Sequence, residues 1–213
     1  MDTPHPIDRL DCNLIRERLR QRDCRGEAHA QWEGLATEPV RRAAVLLALF
    51  RPEATAARAP GWHLLFIRRA VHLHDRHSGE VGFPGGRWEP GDPTSAATAL
   101  REAQEEIGLD PGQVRLLGEL RPLQTVSRFL VTPVVGYIPW PQPLQPAPRE
   151  VSRIFSIPLA WLCQPERHRV QPYASTQHPQ IRDLIFFDEY DGERLWGVSA
   201  RIALDLLSCL TQD

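Results

Sequence analysis

Glu102, Glu105 and Glu106 are three carboxylates crowded just after Arg101, and a Gly85-Gly86 pair stands upstream of them. Acids at i, i+3 and i+4 share one side of a helix. On a solvated helix their repulsion is small, ~0.2–0.5 kcal/mol for an i,i+4 pair, and acidic helix faces are common. In a partly dry cleft the same pair, ~5.5 Å apart at an effective dielectric near 20, would repel by about 3 kcal/mol, which a divalent cation relieves. Mg²⁺ takes hard oxygen ligands, keeps several waters and commonly also binds substrate phosphates; Mn²⁺ suits the same ligands. A lone Gly-Gly means a tight turn, but it also lets backbone approach a ligand or metal closely. A Gly-Gly turn, an Arg-Glu pair and a Glu-Glu-x-Gly end, in that order, describe a way to hold metal against a phosphate chain.

The acids need a helix to present them, and the sequence supplies its limits. Asp92 is an N-cap candidate, Pro93 suits the first helical position, and Gly108 suits the left-handed residue after the last turn. Ala96, Leu100, Ala103 and Ile107 form an apolar stripe, with the three acids roughly opposite. Arg101, beside Glu102 and one turn before Glu105, is placed to brace the carboxylates.

Around this helix the pattern is mostly strands. Ala43–Phe50 is a continuous apolar run that suits a buried strand, and Trp62–Ile67 follows it. Val114–Leu120, Phe129–Ile138, Val151–Ile157, Arg169–Tyr173 and Leu184–Tyr190 are further strand candidates, with Leu159–Cys163 a short helical turn. Asp191-Gly192 signals a hairpin. Pro139 to Pro148 carries five prolines and reads as a stiff extended connector. Val198, Ile202, Leu206, Cys209 and Leu210 stripe a closing helix. Residues 4–24 read as one amphipathic helix, so residues 1–38 form an N-terminal helical extension to a domain spanning 39–213. The assembly expected is α+β, a mixed sheet between helices.

Composition narrows the class. At 213 residues with 42% hydrophobic and 24% charged content, the chain can bury a core without staples. A net charge of −2 makes no broad case for nucleic acid or membrane partners. Cys12, Cys24, Cys163 and Cys209 show no paired spacing, so neither a zinc site nor a disulfide framework is expected, and the cytoplasm is the simplest location. A monomer or a homodimer fits equally. Positive charge gathers locally at Arg68, Arg69, Arg76 and Arg87, which flank His77, Phe83 and the glycine pair.

From Gly86 to Leu109 the chain resembles the Nudix hydrolase box: Gly, a spacer, Glu, a spacer, then Arg-Glu-apolar-x-Glu-Glu-x-Gly-apolar. The second half stands intact from Arg101 to Leu109. The first half is one position longer than the general box, and its early acid is Asp92, not Glu. The coenzyme A diphosphatase subgroup is similar in the same longer spacing and in its leader, matched here by Arg69-Ala70 and by His77-Ser78-Gly79-Glu80-Val81-Gly82-Phe83-Pro84-Gly85-Gly86. The spacer between them is one residue longer than usual, with Arg76 in place of the expected arginine. Val131–Gly136, Glu150-Val151 and Trp196–Ala200 also resemble that subgroup, so the likeness covers roughly residues 40–210.

The resemblance implies an α/β/α sandwich and metal-assisted hydrolysis of a phosphoanhydride. It implies Mg²⁺ or Mn²⁺ held by Glu102, Glu105, Glu106 and the Gly86 carbonyl. It implies Glu150 as a further metal ligand or general base, with Glu80 as the other candidate. The substrate expected is coenzyme A or an acyl derivative, with Arg68, Arg69, Arg76, His77, Phe83 and Arg87 facing it. ADP-ribose or a dinucleotide is the alternative substrate. A non-catalytic binding module is the alternative class, and the intact acids argue against it.

Overall fold

The apolar run from Ala43 to Phe50 becomes the central strand of the molecule. The computed structural model describes residues 5–21, 40–53, 61–71, 78–173 and 183–211. In chain order its elements are α1 (Cys12–Gln21), β1 (Arg41–Phe50), β2 (His63–Arg69), β3 (Val81–Gly82), β4 (Gly85–Arg87), α2 (Ser95–Ile107), β5 (Arg115–Glu119), β6 (Leu123–Gln124), β7 (Phe129–Tyr137), β8 (Val151–Pro158), α3 (Leu159–Leu162), β9 (His168–Pro172), β10 (Asp183–Tyr190), β11 (Glu193–Trp196) and α4 (Gly197–Thr211).

Eight strands form a mixed sheet in which β1 and β7 run parallel, from Arg41 beside Phe129 to Leu49 beside Tyr137. The other pairings are antiparallel. On the opposite edge of β1, β4 pairs near its start, Ala43 with Arg87, and β2 near its end, Leu49 with Leu64. A second antiparallel sheet, β9–β10–β11, stands beside the first, and Asp191-Gly192 turns its hairpin as expected. Strand alternation divides the core. Ala44, Leu46, Ala48 and Phe50 pack with Ala99, Ala103 and Ile107 of α2. Leu47 and Leu49 face the opposite layer with Ile15, Ile202, Leu206 and Leu210 from α1 and α4. The result is the α/β/α sandwich with a mixed sheet.

The N-terminal region departs from the single helix expected over 4–24. A short 3-10 turn spans Pro6–Arg9, and α1 begins only at Cys12. Asp11 makes the break, because its Oδ1 accepts from the Asn13 and Leu14 amides at 2.8 Å and so starts a new helix. Ile7, Leu10, Ile15 and Leu19 join the larger core cluster. The cysteine expectation also needs correction. Cys209 is disulfide-bonded, whereas Cys12 and Cys163 are free. A single bridge without a local spacing pattern leaves no signature in sequence. Among the described residues, no helix is long and apolar enough to cross a membrane.

Candidate active site

Helix α2 starts later than its sequence suggests. Thr94, not Asp92, is the N-cap, and its Oγ1 accepts from the Ala97 amide at 3.1 Å. Asp92 is occupied elsewhere. Its carboxylate accepts from the Glu89 amide (3.0 Å), the Thr98 hydroxyl (3.0 Å), and Arg101 Nε (3.2 Å) and Nη2 (3.0 Å). The Arg101 hydrogen bond is the main reason its pKa is held at about 2. The same guanidinium reaches Glu102 Oε1 at 3.2 Å and Glu105 Oε2 at 3.1 Å, and donates to the Arg87 carbonyl at 2.8 Å. Arg101 therefore ties β4, the Asp92 turn and two acids of α2 into one unit. The helix stops at Gly108, whose φ of 67° is left-handed as expected.

The acids differ more than their shared helix face implies. Glu106 is 3% exposed and lies on the buried side of α2 with Ala99 and Ala103, not opposite it. Its Oε2 accepts from the Gly85 amide at 2.9 Å. Burial pushes its pKa up to about 7; the Gly85 amide and the Arg69 charge oppose the rise, while Glu102 and Glu150 add to it. Glu102 is also raised, again first by burial, with Arg101 opposing. Glu105 is the exposed member, 56% accessible.

The glycines explain how close these groups come. A Cβ on Gly86 would lie 2.4 Å from the Glu102 carboxyl, and one on Gly85 would lie 2.4 Å from the Ala44 carbonyl. Close approach to the backbone of the central strand requires glycine at Gly85, whereas at Gly86 the end of the Glu102 side chain occupies the space a Cβ would take.

The proline-rich connector is extended and pinned to the end of α2. The Gln145 amide donates to the Ile107 carbonyl (2.9 Å), and the Ala147 amide to the Glu106 carbonyl (2.8 Å). This delivers Glu150, exposed in a turn, near enough for its charge to raise both Glu102 and Glu106.

Among the described residues, no three His, Cys, Asp or Glu side chains stand converged as a metal cage. Arg101 and the Gly85 amide hold oxygens of Glu102 and Glu106. The donor chemistry still fits a hard dication: Glu102, Glu106 and Glu150 are all oxygen donors, they repel one another, and Gly86 leaves the cradle a side chain would fill.

On the other side of β4 lies a cavity of about 850 Å³. Gly85, Gly86 and Arg87 line its near end, Val45, Phe129 and Val131 its floor, and α4 its far wall. Arg69, Glu80 and Phe83 also line it, and Phe83 packs on Phe66 at 4.8 Å. Arg68 does not; it points to Glu193 at 3.6 Å. Arg76 and His77 lie outside the described residues. Sequence reasoning missed Thr125 and Ser127, whose hydroxyls are 3.0 Å apart on the cavity wall. It also missed the buried Arg201–Asp205 pair, 3.0 Å apart on the cavity face of α4. An i,i+4 Arg and Asp interrupting an apolar helix was the available signal.

The NUDIX domain matches residues 40–193. The Nudix hydrolase NudL of Yersinia pestis (strain Pestoides F) is 37% identical over 163 residues, 76% of either chain. NudL of Yersinia pseudotuberculosis serotype I (strain IP32953) matches equally. Among solved structures, a MutT/nudix family protein from Enterococcus faecalis aligns with TM-score 0.48 and 13% identity, covering 84% of this chain and 64% of that one. The NUDIX domain of Shewanella oneidensis NrtR complexed with ADP ribose aligns with TM-score 0.44 and 20% identity, covering 66% and 88%. The domain match and the identity to NudL each extend well beyond the box that first suggested kinship, and on them the chain belongs to the Nudix hydrolase family.

Proposed function

We propose that this Nudix hydrolase cleaves the diphosphate of coenzyme A or an acyl-coenzyme A, giving 3′,5′-ADP and 4′-phosphopantetheine or its acylated form. The observation that carries the reading is the packing of Glu102 and Glu106 on Gly85-Gly86, a strand whose other side lines a cavity of nucleotide size. The leader that ends in this glycine pair is what favours coenzyme A over ADP-ribose or a dinucleotide.

Glu102, Glu105, Glu106 and the Gly86 carbonyl are the groups that would hold Mg²⁺ or Mn²⁺; when bound, such an ion neutralises phosphate charge and acidifies water. The remaining work falls to the chain itself. Arg101 positions Glu102 and Glu105 while Asp92 fixes Arg101. Arg69 and Arg87, on the cavity wall, take phosphate oxygens, a geometry guanidinium suits. Phe83 shapes the wall, and Arg76 and His77 belong to the leader that the substrate meets. Water adds to one phosphorus, its proton passes to a carboxylate, and the bridging P–O bond breaks. Glu150 is the proposed acceptor of that proton, with Glu80 the second candidate. In this reading residues 1–38 extend a catalytic domain spanning 39–213.

The test is phosphopantetheine release from coenzyme A with Mg²⁺ or Mn²⁺, beside ADP-ribose, NADH and a metal-free control. Metal-dependent cleavage of coenzyme A alone is expected. Cleavage of another compound alone removes the coenzyme A assignment, and no cleavage of any favours a binding module.

A further inference from the structure

Two arginines share one aromatic ring at the edge of the cavity. The Arg41 guanidinium carbon lies 4.2 Å from the Phe129 ring centroid, and that of Arg87 lies 5.4 Å from it. The arrangement follows from register: Arg41 is the β1 partner of Phe129, and Arg87 of β4 is the partner of Ala43, two residues along β1. Alternation therefore puts all three side chains on the cavity face of the sheet. Arg41 Nη2 donates to the Ser127 carbonyl at 3.0 Å, which fixes its guanidinium beside the ring. Thr125 and Ser127, whose hydroxyls pair at 3.0 Å, line the cavity next to Phe129 and Arg87.

Among the described residues, no carboxylate pairs with Arg41 or Arg87. Two cations held near one ring without a counter-charge repel each other, and stacking on Phe129 offsets only part of that. Arg101, Arg153 and Arg201, by contrast, are each paired, with Asp92, Asp191 and Asp205. Arg87 lies on the cavity wall, next in sequence to Gly86, and its carbonyl is held by the same Arg101 that holds Glu102.

We propose that Arg41 and Arg87 on Phe129, with the Thr125 and Ser127 hydroxyls, bind a phosphate monoester that the substrate carries in addition to the phosphoanhydride being cut. Guanidinium donors in a planar fork and neighbouring hydroxyls match the oxygens of a phosphate dianion. The site selects nucleotides phosphorylated on the ribose over those with a free ribose. It rests on the reading above, in which a diphosphate lies across Gly85-Gly86, and it adds Arg41, which lies outside both the box and the leader.

The experiment measures binding of 3′,5′-ADP and of AMP to the full chain by calorimetry without metal. These probes differ by the one phosphate. Wild type is expected to bind 3′,5′-ADP at least about tenfold tighter, the size of a charge-assisted contact. Arg41→Met keeps an apolar stem on Phe129 and is expected to collapse the ratio to within about threefold, while Arg41→Lys restores part of it. Equal binding of the two nucleotides by wild type, or equal weakening of both by Arg41→Met, overturns the proposal. Hydrolysis of coenzyme A is followed separately, so a chain that binds 3′,5′-ADP selectively yet cleaves nothing refutes the catalytic reading and leaves this site standing.

Discussion

Helices α2 and α4 cover opposite faces of the same sheet and do so with different side chains. Helix α2 meets β1 through Ala99, Ala103 and Ile107 against Ala44, Leu46, Ala48 and Phe50, with alanines on both sides. Its charged side chains, Arg101, Glu102, Glu105 and Glu106, go into the polar network with Asp92, Gly85 and Arg87. Helix α4 meets the sheet through Ile202, Leu206, Leu207 and Leu210, and carries the buried Arg201–Asp205 ion pair. Close approach of α2 lets a carboxylate rest where the Cβ of residue 86 would be. Bulk in α4 supplies apolar burial, at about 25 cal/mol for each Å² removed from water. One helix is built for position and the other for stability, so their substitutions should separate activity from folding.

The largest effect is expected on the α2 side. Glu106→Gln keeps the volume and an oxygen that can accept from the Gly85 amide, but removes the charge. Turnover at saturating Mg²⁺ should fall by at least about a hundredfold, the usual range for losing a catalytic carboxylate. The melting temperature should hold or rise, because a desolvated charge has been removed. Near wild-type kcat would remove Glu106 from the site. Leu206→Ala on α4 should do the reverse. It empties a fully buried position and should cost about 2–5 kcal/mol, lowering the melting temperature by roughly 5–15 °C. The kcat of the folded fraction should change little. A loss of kcat without a fall in melting temperature would break the division between the helices.

The legible parts of this molecule are those governed by local rules. The strand at Ala43–Phe50, the stop at Gly108, the Asp191-Gly192 hairpin and the extended connector each depend on a few neighbouring residues, and each stands where the sequence places it. The Arg101–Leu109 segment was readable as a helix end bearing acids. The misread parts depend on distant partners. Asp92 looks like a cap by position but is claimed by Arg101, nine residues away. Glu106 falls on the polar side by periodicity, yet β4 and the connector fold over it and bury it. Arg41 carries no motif and meets Phe129 of the cavity wall only because β1 and β7 run in parallel register.

The smallest effect expected tests the join between the two functions. Asp92 holds Arg101, and through it Glu102 and Glu105, so Asp92 contributes to both stability and geometry. Its folded pKa of about 2 is below the ordinary carboxylate value of 3.8, so its ionised form is favoured by folding. The sign follows: this stabilisation is fully present above pH ~4 and is lost as pH falls through about 2. Asp92→Asn should therefore lower stability at pH 7 by about 1–2 kcal/mol, the scale of a charge-assisted hydrogen bond. The gap from wild type should narrow between pH 4 and pH 2, read from denaturant midpoints. Thr98 and Glu89 can still bond to an amide there, so the fold persists, while Arg101 loses its fixed anion and swings more freely toward Glu102 and Glu105. A drop in kcat of several-fold should accompany the modest stability loss, a ratio between those of the Glu106 and Leu206 variants. A stability gap that stays constant to pH 2 would mean that Asp92 acts through packing, and that Arg101 is held by the α2 acids and the Arg87 carbonyl alone.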